Sequence, residues 1–224
     1  MDLRSAITAI EKHGILLVYP IDNQKEPPSL WSHFYPRSQM RWEWDQDGDD
    51  RVSTLWSLRE QLSRSQKVVY AKWYKNRATF FSKDVFTSLL AVIGSTHSPH
   101  QGLSTEARHI LELLEMDSPL STKQVKQLTG LRGRALEPTY TKALKELWTR
   151  LLVVGYGEID DGAFPSLAIG STHLLFEDLW NNALATDSAK AWSTLQRKLP
   201  AHCLFLKQLK QIKPSPSPSR NLHY

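Results

Sequence analysis

Between residues 104 and 159 the apolar positions keep a helical period through three segments and then switch to a strand period. From Ser104 to Met116, Ala107, Ile110, Leu111 and Leu114 fall on one helical face. A second helix starts at Ser121, which can cap it, with Gln124 where a capping box places its reciprocal partner. Leu120 and Val125 are spaced for a hydrophobic staple, and Gly130 supplies the stop. A third helix opens on Pro138, a residue suited to a first helical position, and turns Ala143, Leu144, Leu147, Trp148 and Leu151 inward. Thr139, Lys142, Lys145, Thr149 and Arg150 lie off that face. Leu152 to Tyr156 and Ile159 onward predict a hairpin, with Gly155 and Gly157 near its turn. Helix, helix, basic helix and β-ribbon is the element order of a winged helix-turn-helix, which carries its third helix into a DNA groove.

The first half predicts a weaker version of the same order. Residues 2–13 form a short helix, and Ile15 to Val18 a brief apolar strand ended by Pro20. Residues 23–50 read as irregular, with Pro27, Pro28 and Pro36 and an acidic stretch from Asp45 to Asp50. Arg51 to Leu62 predicts a helix with Val52, Leu55, Trp56 and Leu58 apolar. Lys67 to Trp73 and Arg77 to Phe81 predict two strands about a Lys75-Asn76 turn, and Ser82 caps a helix reaching about Ile93. The expected class is α+β, mostly helical, with tandem winged helix-turn-helix units and small β-ribbons. Residues 1–94 form the aromatic-rich N-terminal unit and 103–184 the clearer winged unit, joined through a linker from Gly94 to Gly102. Helices near 171–184, 187–198 and 202–212 follow, the last two making a C-terminal segment over 185–212. Pro alternates with Ser from Pro214 to Arg220, so 213–224 is expected to be a disordered tail.

Charge sharpens the picture around the third helix. Lys123, Lys126, Arg132, Arg134, Lys142, Lys145 and Arg150 face only Glu137 and Glu146 between residues 121 and 150. With Thr139 and Thr149 they are the candidate DNA contacts, since such a patch attracts phosphates whatever the base sequence. The alternative is an ordinary solvated basic face. Asp160 and Asp161 argue against the wing itself lying on a phosphate backbone. Over the 224 residues the net charge is +5, which permits a polyanionic partner without demanding one.

Composition excludes more than it assigns. No apolar run nears the roughly 20 residues of a membrane helix, and Met1 to Lys12 mixes charges unlike a secretory leader. The single cysteine, Cys203, rules out an internal disulfide and a cysteine-based zinc site, so a cytoplasmic location is the default expectation. His97, His100 and His109 lack companions at metal-ligand spacing, and no metal is expected. Phosphate-binding glycine loops, dinucleotide fingerprints and a nucleophile elbow are all missing, so no cofactor is expected either.

Five of the eight tryptophans, Trp31, Trp42, Trp44, Trp56 and Trp73, fall in the first third of the chain. From Ser29 to Asp45 rings, arginines and carboxylates mix without a helical or strand period. Such a segment can build a pocket or a stacking platform for a base, with Trp31, His33, Arg37, Arg41 and Trp42 as its candidates. Equally, the rings can fill the core of a loop-rich region, with Glu43 and Asp45 in an ion-pair cluster.

Three runs carry a resemblance: Ile15-Leu-Leu-Val-Tyr-Pro-Ile-Asp22, then Leu30-Trp-Ser-His33, and, after the basic helix and ribbon, Phe164-Pro-Ser-Leu-Ala-Ile-Gly-Ser-Thr-His-Leu-Leu-Phe-Glu-Asp-Leu-Trp180. Together they resemble the AlkZ-type winged-helix DNA glycosylases and their shorter relatives, loosely, up to about residue 183. The resemblance implies tandem winged helices around a DNA-binding channel and, in the longer members, excision of alkylated or cross-linked bases. This chain is about half their length, so a C-terminal part of their architecture is expected to be missing. Their catalytic motif is glutamine, an aliphatic residue, then glutamine or aspartate. Here Pro20, Ile21 and Asp22 occupy those positions, so Asp22 matches, Pro20 departs, and Gln24 lies close but out of register. A carboxylate beside the sugar stabilises the positive charge that builds as an N-glycosidic bond breaks. Asp22 is thus the candidate catalytic residue; in Ile21-Asp22-Asn23 it also reads as a turn residue.

The expected function is binding of double-stranded DNA, intact or damaged, in a repair-like setting, with glycosylase activity resting on an incomplete motif. One alternative is a non-enzymatic transcriptional regulator that dimerises through the helices after residue 184; the other is a protein-interaction module with no DNA role.

Overall fold

A computed structural model of the chain describes residues 1–42 and 50–212. Glu43, Trp44, the acidic stretch up to Asp49 and the 213–224 tail lie outside the described residues. The chain opens with α1 (Leu3–His13), β1 (Ile15–Leu17), α2 (Leu30–Phe34), α3 (Asp50–Arg64), β2 (Val69–Ala71) and β3 (Thr79–Phe81). After α4 (Lys83–Ile93), the same order returns as α5 (Thr105–Met116), β4 (Leu120–Ser121), α6 (Thr122–Leu128), α7 (Glu137–Thr149), β5 (Val153–Ile159) and β6 (Ser166–Ser171). Four helices follow: α8 (Thr172–Leu175), α9 (Glu177–Leu184), α10 (Ser188–Lys198) and α11 (Leu204–Gln211). The class is α+β, about half helical, with one small antiparallel sheet.

The sheet order is β1-β3-β2-β5-β6-β4. Within each repeat the first strand pairs with the third and the third with the second; the two second strands then meet at Tyr70 opposite Gly155. Gln66 and Leu151 hold left-handed φ angles of 51° and 55° just before β2 and β5. Setting one on the other places Leu55 on Tyr140, Leu58 on Ala143, Leu62 on Leu147, and Val68-Val69 on Val153-Val154, all buried. It also places Tyr70 on Gly155. The two residues that pair across the junction are therefore counterparts, and the junction lies on a pseudo-twofold axis.

Gly155 is required there: a Cβ would stand 2.2 Å from the Tyr70 ring. This corrects the expected hairpin. β5 runs through Gly155 and Gly157 to Ile159, and residues 160–165 make the connection. Gly157, at φ 83°, sits in the irregularity between Gly155 and Glu158 where the register shifts. Both glycines serve strand geometry rather than a tight turn. The turn at Lys75-Asn76 does form, with both residues left-handed and the Arg77 N–H donating to the Tyr74 carbonyl.

Strands of the first repeat are buried on both faces, which is why they read as unbroken apolar runs. Leu16, Val18, Val68, Tyr70 and Phe80 pack with α1, α2 and α3. Ile15, Leu17, Val69, Ala71 and Phe81 join the larger core with α4, α9 and α10. α2 falls inside the stretch expected to be irregular. Ser29 and Ser32 make its capping box, serine standing where Glu or Gln usually serves, and the helix buries Leu30 and Trp31. The capping box at Ser121 and Gln124 is present. Pro138 is the second residue of α7 rather than the first. Apolar residues of α10 and α11, including Leu195, Phe205 and Leu209, are buried within the chain itself. Among the described residues no helix is long and apolar enough to cross a membrane.

Candidate nucleic-acid interface

The core face of α7 is Tyr140, Ala143, Leu147 and Trp148, which leaves Lys142 and Lys145 exposed on its outer side. Arg132 and Arg134 are exposed in the loop before it. None of these four has a carboxylate partner among the described residues. The remaining candidates are more engaged. Lys123 pairs with Asp161 at 3.1 Å; Lys126 pairs with Glu137 at 2.8 Å and lies over the Tyr140 ring. Thr139, Thr149 and Arg150 are half-buried. Thr149 donates its hydroxyl to the Lys145 carbonyl, and Arg150 donates to the Gln101 carbonyl.

Two shallow cavities flank this face. One, of about 350 Å³, lies between Lys123, Gln124, Lys126, Gln127, Arg132 and Asp161. The other brings Lys145 and Thr149 beside Lys75 and Asn76, so the hairpin of the first repeat reaches α7 of the second. The 160–165 connection is tied down by Asp161, which accepts from the Ser121 and Ser166 hydroxyls. Those bonds, led by Ser121 and aided by Lys123, hold the Asp161 carboxyl down at about 2. Asp161 thus braces the N-cap serine of α6 while lining the cavity beside Lys123 and Arg132, and Asp160 before it is exposed.

The aromatic block divides between two cavities that share Pro20. The first, of about 230 Å³, takes Gln24, Tyr35, Arg37 and the edge of Trp31. Most of Trp31 is core, 1% exposed, with its indole N–H donating to the Ser38 carbonyl and Arg51 stacked 5.2 Å away. The second, of about 210 Å³, takes Trp42, tilted against Tyr19. His33 and Arg41 line neither. His33 is exposed and meets His13 edge-on at 5.4 Å; burial, then the charge of His33, lowers the His13 pKa. Asp22 also lines neither cavity. It is exposed at φ 49° in a turn closed by Gln24 N–H on the Ile21 carbonyl, and Asn23 braces that turn on Met40.

Sequence reasoning missed Arg59, which lines the second cavity while only 6% exposed. Its signal was present: Arg59 interrupts the apolar stripe of Leu55, Leu58 and Leu62 on α3. Among the described residues no group of three or more His, Cys, Asp or Glu side chains is placed to hold a metal ion. His100 is instead paired with Glu115.

Comparison with known proteins adds one finding. No curated protein and no solved structure matches the chain significantly. The sequence model of one family, described as AlkZ related, matches residues 2–212. That match spans nearly all of the sequence, and the chain belongs to the AlkZ-related family.

Proposed function

We propose that this protein binds double-stranded DNA through the outer face of α7 and the loop before it, as a tandem winged-helix protein in a repair-like setting. Residues 1–94 and 103–184 are then the two winged units, with 185–212 as a C-terminal buttress. The observation that carries the reading is the placement of Lys142, Lys145, Arg132 and Arg134. All four are exposed and have no ion-pair partner among the described residues, on or just before the third helix of a helix–strand–helix–helix–strand–strand unit. Such cations displace counterions from a duplex, which gives affinity that falls with salt. Family membership supports a DNA-repair, glycosylase-like relation.

The test is duplex binding across a salt series by the wild type and by Lys142→Glu with Lys145→Glu. The double variant should bind about tenfold more weakly, or worse, on any sequence and with a shallower salt slope. Unchanged affinity would remove α7 from the interface. A base-release arm on duplexes carrying N7-methylguanine addresses catalysis. Release that disappears in Asp22→Asn makes the protein a glycosylase; binding without release makes it a reader of DNA.

A further inference from the structure

The cavity beside Trp42 is built mainly from residues outside the expected base pocket. Trp56 and Arg59 reach it from α3, Tyr70 from β2, and Lys72 and Arg77 from either side of the Lys75-Asn76 turn. Among the described residues one carboxylate answers these three cations: Glu158, from the second repeat, is ion-paired with Arg59. Lys72 and Arg77 have no carboxylate partner among the described residues. Among the described residues Arg59 Nε is buried without a hydrogen-bond partner, and the buried Tyr70 hydroxyl lies beside the same guanidinium. Burial, and then the charge of Arg59, push the Lys72 ammonium below its usual pKa. A half-buried ammonium beside a like charge is unfavourable unless an anion joins it. The rings add a second requirement. Trp56 is 49% exposed, with the Arg59 guanidinium 3.9 Å from its centroid. An exposed indole polarised in this way stacks readily on a planar π-system, as bases do on aromatic platforms.

We propose that this cavity binds a nucleoside 5′-monophosphate group, the phosphate between Lys72, Arg77 and Arg59 and the base on Trp56. Half-buried Lys72 and exposed Arg77, both without a carboxylate partner among the described residues, match a phosphomonoester, which carries about −1.5 to −2 at neutral pH; an internal phosphodiester carries less. At about 210 Å³ the cavity has room for the phosphate and sugar, and the base would lie on the exposed Trp56 ring at its rim. The shared chemistry has two sources, a free nucleotide or the phosphorylated 5′ end of a strand. The proposal does not depend on duplex binding by α7.

Isothermal titration of the full chain with deoxyadenosine 5′-monophosphate tests it. The nucleotide should bind, and deoxyadenosine should bind at least about tenfold more weakly. Lys72→Gln and Arg77→Gln should each weaken the nucleotide about tenfold, and Trp56→Ala about fivefold. The Lys142→Glu with Lys145→Glu variant should bind it as the wild type does, which separates this site from the duplex face. Single-stranded oligonucleotides with a 5′-phosphate or a 5′-hydroxyl distinguish the sources. A Lys72-dependent preference for the phosphate identifies the strand end, and equal binding identifies the free nucleotide. Absence of nucleotide binding by the folded wild type overturns the proposal. So does binding that neither Lys72→Gln nor Arg77→Gln alters, with circular dichroism confirming that both variants fold.

Discussion

The two repeats share their strand order and differ in their loops. In the second, α6 follows β4 directly and residues 129–136 lead into α7. In the first, residues 18–29 stand between β1 and α2, and 35–49 between α2 and α3. Those two insertions hold Asp22, Arg37, Arg41 and Trp42. The third helices diverge as well. Ser57 and Glu60 occupy the α3 positions that correspond to Lys142 and Lys145, and Glu60 is held by Arg64 at 2.6 Å. α7 thus presents outward lysines, whereas α3 sends one arginine inward to a cavity. A common scaffold leaves each copy free to specialise: one through charge on a helix, the other through long connections that wall a pocket.

The comparison is most severely broken at the junction. Gly155→Ala pushes a Cβ into the Tyr70 ring and should cost about 3 kcal/mol, at the upper end of overpacking penalties, read as a large fall in Tm. Combined with Tyr70→Ala it should cost less than the two single changes added together. A clearly additive pair would mean that the strands do not meet there. Next comes the contrast between third helices. Charge reversal at Lys142 and Lys145 should weaken duplex binding about tenfold, or about 1.4 kcal/mol, while Ser57→Glu on α3 leaves affinity unchanged. An equal loss from Ser57→Glu would make the repeats equivalent readers.

Smaller effects distinguish the capping boxes. Ser29→Ala and Ser121→Ala should each lower stability by about 1 kcal/mol in chemical denaturation. Ser121→Ala should cost more, because its hydroxyl also donates to Asp161. The smallest effect depends on pH. The Asp161 pKa is lowered from 3.8 to about 2 in the fold, so its contribution is present above the unfolded value and is lost as pH falls through the folded one. Melting temperatures should therefore fall between pH 3.8 and about 2, and fall less in Asp161→Asn. Identical profiles would place Asp161 outside the clamp.

Much of the second repeat was legible because its signals are local. Helical spacing on α5 and α7, a serine–glutamine capping box and β-branched strands each act within a few residues. What escaped was set by distant partners. Gly155 reads as a turn until Tyr70 is placed against it, and Ser29 reads as loop until Ser32 is recognised as its partner. Trp31 reads as a pocket ring until α1 and α3 cover it. The cavity of Arg59, Lys72 and Arg77 joins a helix, a hairpin and a residue of the other repeat, so no window of the sequence contains it.

The pairing of Tyr70 with Gly155 has a consequence for how such a molecule can be assembled. In a homodimer with this sheet, the axis would force the same residue onto both sides. Two tyrosines there would collide, and two glycines would leave a hole. A single chain that carries both halves is released from that constraint. It can set a large residue against none and lock the halves in one relative position, a fit that no pair of identical subunits could reach at that point.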